Sequence, residues 1–295
     1  MSRSDTPSFV LDDSGFHPTI DTHKLAVALA GTPIPNEARD RIVGPHDFFA
    51  LSECRKLHSV ESEQAIPADY FLMGVGEPRH RAATKLGGLP YLPAKVPWPE
   101  RDGTFGDFYA QLNFADSRDI VPHAQGDVLL VFRFHDLDCT SWDEELYECI
   151  WVNLGDQELV APEDVGHSAA GANDPWPPLH GYRLRTFDDP SQTQRLVDED
   201  AGAWDLHSGH ATKVGGQATD AQRTWGPRVP GDFRFLGQVV ATWPEANVVW
   251  PVVNREAPVA WPSEDYDAMV SGPGDGITCF YLDGRGRVRV HFSCA

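Results

Sequence analysis

The sequence predicts an α+β, mainly β fold made of two similar halves that share one core, preceded by N-terminal helices. Three observations predict it. A hexapeptide recurs, "ATKLGG" at 83–88 and "ATKVGG" at 211–216. Each copy is followed by a loop containing Trp and Pro, then by Gly-Asp-Phe at Gly106 or Gly231, and later by a Gly-Asp strand start at Gly126 or Gly274. Between these markers run short apolar segments of strand length, punctuated by glycine and proline. An ordered set of motif, loop and strands spaced 128 residues apart at Thr-Lys and 125 at Gly-Asp-Phe is the mark of a duplicated unit.

Residues 1–68 are expected to form a helical extension. Leu25 and Leu29 in 21–31 stand at helical spacing before Gly31, which suits a C-cap. In 44–59, Pro45 opens the segment, Phe48, Phe49, Leu51 and Leu57 form its apolar side, and Arg55, Lys56 and His58 come late, where cations suit the helix dipole. The first half, 69–160, is expected to carry strands at 69–76, 107–114, 127–134 and 148–154. Residues 161–206, rich in Asp, Pro, Gly and Ser, are expected to form an irregular insertion. The second half, 207–295, is expected to carry strands at 232–240, 246–253 and 277–282. It closes with a hairpin in which "DGRG" turns the chain and Val288, Val290 and Phe292 alternate with Arg289 and His291.

Composition narrows the function classes. Asp and Glu number 44 against 24 Lys and Arg, a net charge of −20, which repels phosphate backbones and disfavours a nucleic-acid partner. The same field favours a basic protein partner. No apolar run approaches the roughly 18 residues of a membrane span, and no signal peptide is expected at the N-terminus. Five cysteines without a CxxC pair fit a reducing, cytoplasmic setting. Oligomeric state is left open.

Candidate chemistry is sparse. In each hexapeptide the paired glycines, Gly87–Gly88 and Gly215–Gly216, permit positive φ and close backbone approach. Lys85 and Lys213 either serve that turn locally or join the glycine amides in an anion cradle. The order Lys before Gly-Gly excludes a P-loop, whose lysine follows its glycines. His207 and His210, three apart with Asp205 nearby, have the spacing of a transition-metal pair, without a second ligand cluster in the sequence. Five Trp-Pro pairs, at Trp98, Trp176, Trp243, Trp250 and Trp261, make rigid corners with large apolar anchors. No nucleophile elbow, zincin motif or cysteine signature occurs, and no cofactor is expected.

The stretches "TKLGGLPYLPAKVPWP" (84–99), "FYAQLNF" (108–114), "GDVLLVFRF" (126–134), "TKVGGQATDAQ" (212–222) and "GDGITCFYLDGRGRVRVHF" (274–292) resemble the YwqG-like family of bacterial proteins, a domain of unknown function. The resemblance covers most of residues 70–295 and implies a duplicated mixed fold. Where the family usually has His before the second Lys-Gly-Gly-type turn, this chain has Thr212, and "QATD" replaces the aromatic-Pro run after it. Some relatives are encoded near toxin systems, which implies an immunity or partner-binding role. Two functions follow from the sequence. One is a non-enzymatic cytoplasmic binding protein with an acidic surface, such as an immunity-type partner of a basic toxin. The other is a small-molecule- or metal-binding enzyme with its site in the cleft between the repeats.

Overall fold

A computed structural model describes residues 11–12, 15–17, 19–20, 66–75, 77–134, 146–162, 178–188, 212–218, 231–241 and 276–294. Their strands are β1 (Leu11–Asp12), β2 (Thr19–Ile20), β3 (Ile66–Val75), β4 (Lys85–Leu86), β5 (Glu100–Arg101), β6 (Thr104–Phe105) and β7 (Asp107–Asn113). There follow β8 (Val128–Arg133), β9 (Tyr147–Val152), β10 (Leu179–Asp188), β11 (Lys213–Gly215), β12 (Arg234–Ala241), β13 (Gly276–Leu282) and β14 (Val288–Cys294). A short 3-10 turn lies at Ala115–Ser117 among the described residues, which are otherwise almost free of helix. The expected helices at 21–31 and 44–59, and the strand at 246–253, lie outside them.

Hydrogen bonding follows the order β14-β13-β12-β11-β3-β10-β4-β7-β8-β9. That order is a palindrome of two five-stranded antiparallel sets, each made of a leading strand, a short turn strand and a three-stranded meander. The leading strands are exchanged. β3 precedes the first meander in the chain but pairs with β11 of the second half, and β10 precedes the second meander but pairs with β4 of the first. At the centre β3 and β10 pair with each other along ten residues, from Ile66↔Asp188 to Val75↔Leu179. The duplication extends to irregularities: β7 is bulged between Phe108 and Ala110 against β8, and β12 between Phe235 and Gly237 against β13.

Within the stretch 161–206, expected to be irregular, Leu179–Asp188 form the regular strand β10, while 163–177 and 189–206 lie outside the described residues. Within "LHGYRLRTFD" large and cationic residues alternate at strand period, but the segment sits between Asp- and Pro-rich stretches that conceal it.

Each meander strand is buried according to its pattern. The run "VLLVFR" of β8 is buried throughout, because Leu129 and Val131 face the core shared by both halves while Val128, Leu130 and Phe132 face a second cluster. The shared core joins Tyr70, Leu112 and Val131 to Val214, Leu236, Phe280 and Val290. The Tyr109 and Thr278 hydroxyls meet across it at 3.3 Å. Trp98 plugs the outer cluster edge-on to Phe132, and its indole N–H donates to the Gly106 carbonyl at 2.7 Å. The other four Trp-Pro tryptophans lie outside the described residues. A third cluster, Val240, Ile277, Cys279 and Tyr281, covers the second meander. The closing turn is held by Asp283, whose Oδ1 accepts from the Arg285 and Arg287 amides while Gly286 adopts φ 79°.

Candidate functional site: the paired Lys-Gly-Gly turns

The two hexapeptides fold into the same local structure. Thr84 and Thr212 each use the side-chain oxygen to accept a backbone N–H, from Asn113 at 3.0 Å and from Val240 at 3.1 Å. Their carbonyls accept from the leading strand of the exchanged pair, Gly181 N–H at 2.8 Å and Phe71 N–H at 2.9 Å. Lys85 stands opposite Gln111 on β7, and Lys213 opposite Gln238 on β12. Gly87, Gly88, Gly215 and Gly216 all have φ between 64° and 72°, in the left-handed region that glycine enters without a Cβ penalty.

A carboxylate completes each turn. Glu77 accepts from the Lys85 ammonium at 2.8 Å and from the Leu89 amide at 2.6 Å. Asp188 accepts from the Lys213 ammonium at 2.7 Å and from the Gln217 amide at 2.7 Å. The residue after the second glycine therefore aims its N–H at the same carboxylate as the lysine. A Cβ on Gly88 would strike Glu77, and one on Gly216 would strike Asp188, so these glycines are required by close approach as well as by φ. An anion does sit at each turn, and it belongs to the protein.

The two turns differ in surroundings. Glu77 is 38% exposed, whereas Lys213 and Asp188 are both 0% exposed. The Tyr70 hydroxyl donates to Asp188 Oδ1, and Lys213 Nζ lies 5.4 Å from the centre of the Tyr70 ring. His180 occupies the place across from Lys85 that Tyr70 occupies across from Lys213. Burial pulls both lysines below the ordinary ammonium range, opposed by their carboxylates. Burial, and then the charge of Asp188, pushes the Tyr70 phenol well up. The lysines are not brought together: β3 and β10 separate β11 from β4, three strand spacings or about 14 Å.

A second polar network runs along the central ribbon. Buried Asp69 accepts from Arg185 Nε at 2.5 Å and Nη2 at 3.0 Å and from the Ser117 hydroxyl at 2.6 Å. Arg185 also reaches Asp119 at 2.5 Å, and Arg183 donates to the Asp116 carbonyl at 2.6 Å. Buried His17 joins this network to the first turn. Its Nε2 accepts the Thr84 N–H at 2.7 Å, which leaves the proton on Nδ1 to be donated to Asp116 Oδ2 at 2.8 Å. Burial lowers the His17 pKa against the pull of Asp116.

Glu77, Asp188, Tyr70 and His17 were not legible as site residues. The carboxylates precede their lysines by 8 and 25 residues, so no common spacing announces them. Asp205, His207 and His210 lie outside the described residues, and no group of three metal-ligating side chains occurs among the described ones. No described helix is long and apolar enough to cross a membrane.

Residues 84–219 match a family described as "Domain of unknown function (DUF1963)". The match starts at the threonine of the first turn, takes in the first meander and β10, and ends just past the second turn. Comparison with curated proteins gives no match.

Proposed function

We propose that the protein is a non-enzymatic binding protein whose acidic surface engages a basic protein, an immunity-type partner of a cationic toxin being its most concrete form. One observation carries the reading: the cationic groups that could have formed an anion site are spent on internal carboxylates, Lys85 on Glu77, Lys213 on Asp188 and Arg185 on Asp69. Among the described residues Lys and Arg number 14 and Asp and Glu 15, against 24 and 44 in the whole chain. The framework is thus close to neutral, and nearly all of the acidic excess is carried by the remaining residues.

A field of that size steers oppositely charged proteins and makes association fast and salt-sensitive. The test is affinity purification from the native cell at low salt, identification of what is retained, and association kinetics with the purified partner. The reading expects a basic protein whose association rate falls about tenfold or more between low and high salt. Retention of no basic protein, or a rate indifferent to salt, overturns it.

A further inference from the structure

The second turn holds an amine and a carboxyl group in contact with no exposed surface on either. We propose that Lys213 and Asp188 condense into an intramolecular amide that ties β11 to the end of β10. The amide would form whether or not the acidic surface engages a basic partner.

Four observations point the same way. Lys213 Nζ and Asp188 Oδ2 are 2.7 Å apart, so the nitrogen is held beside the carboxyl group whose Cγ it would attack, and proximity of that kind gives intramolecular reactions large effective concentrations. Both groups are walled off from bulk water, which would otherwise solvate the charged pair and reverse the condensation. Burial disfavours the ammonium, and so brings the neutral amine within reach. The Tyr70 hydroxyl is aimed at Asp188 Oδ1, and the Gln217 N–H at Oδ2, so each carboxyl oxygen has its own donor.

The step balances without a co-reactant. A proton passes from the ammonium to Oδ2, leaving an amine beside a carboxylic acid. The Nζ lone pair attacks Cγ and the C–N bond forms, while negative charge collects on Oδ1 opposite the Tyr70 hydroxyl, which stabilises it as an oxyanion-hole donor does. The nitrogen gives one proton to Oδ2, the Cγ–Oδ2 bond breaks, and water leaves. The product is a neutral amide whose carbonyl keeps the Tyr70 hydrogen bond.

The first turn supplies an internal control. Glu77 is 38% exposed, and His180 replaces Tyr70 across from the lysine, so Lys85 and Glu77 stay an ordinary ion pair.

Intact-mass measurement of the purified full chain under denaturing conditions tests the proposal. The expected mass is one water, about 18 Da, below that of the sequence. Tryptic digestion should yield peptide 186–195 joined to 196–223, uncut at Lys213. Lys213→Arg should restore the full mass whether or not it folds as well. Tyr70→Phe should lower the linked fraction at a fixed time after synthesis. Asp188→Asn, which preserves shape, should form the same amide with loss of ammonia, about 17 Da. A folded native chain at full mass overturns the proposal. So does a water loss without the joined peptide, as succinimide closure at an aspartate would give.

Discussion

Lys213 Nζ sits 2.7 Å from Asp188 Oδ2 with neither side chain exposed, whereas the equivalent pair, Lys85 and Glu77, opens one partner to solvent. The same turn has thus been built twice with one pair inside a low dielectric and one at its edge. Removing one partner of a buried pair, ionic or condensed, strands the other group without water, and the cost depends on how well water can replace what was lost.

Asp188→Ala should therefore destabilise the fold by about 3–5 kcal/mol, while Glu77→Gln should cost about 1 kcal/mol or less. Denaturant midpoints of the two variants, read against the native chain, check the ratio. Equal losses would show that the two turns have the same dielectric surroundings.

Three of the four turn glycines should separate into two classes. Gly87→Ala meets nothing within 4 Å and carries only the left-handed backbone cost, roughly 1–2 kcal/mol. Gly88→Ala and Gly216→Ala carry that cost and also press a methyl group into the carboxylate and against Pro178 or Ala68. Thermal unfolding should rank Gly87→Ala as the mildest of the three.

Stability should fall as the solution is acidified through the histidine range. The folded pKa of His17 lies below its ordinary value of 6.5, so the unfolded chain binds the proton more readily. The His17 contribution is complete above about pH 6.5 and is lost as pH falls toward the lowered value, because the imidazolium cannot accept the Thr84 N–H. Asp116, Asp69 and Arg183 are the charged groups that act on it. Unfolding midpoints from about pH 7.5 to 5.5 should show the decline in the native chain and a shallower one in His17→Gln.

Gln111 clamps the approach to the first turn: its Oε1 accepts the Tyr91 N–H at 2.9 Å, and its Nε2 donates to the Arg81 and Ala83 carbonyls at 2.7 and 2.6 Å. Gln111→Ala leaves three backbone groups, two of them buried, without that partner and should cost about 2–4 kcal/mol. Hydrogen exchange should quicken at the Tyr91 amide before the strands of the meander respond.

Much of the meander was legible in the sequence because strand pairing there is local. The runs at 107–113 and 128–133, the "DGRG" hairpin and the paired glycines carry their own patterns. What escaped depends on distance in space. Ile66 meets Asp188 across more than a hundred residues of chain, and nothing in either segment names the other. Glu77 and Asp188 look like any surface carboxylates in a strongly acidic chain, and His17 lies far from both turns in sequence. Only the fold shows that the repeated lysines already have their anions.

The exchange of β3 and β10 also sets an order of events during synthesis. The first meander can be made early, but β3 and β4 have no partner on the sides that face β10 until that strand has been translated, and the other edge of β3 waits longer still, for Lys213. At the usual pace of translation the gap between Val75 and Asp188 lasts on the order of ten seconds. Through that interval the nascent chain carries unpaired strand edges beside a half-formed core, so its exposure to chaperones is written into the strand order itself.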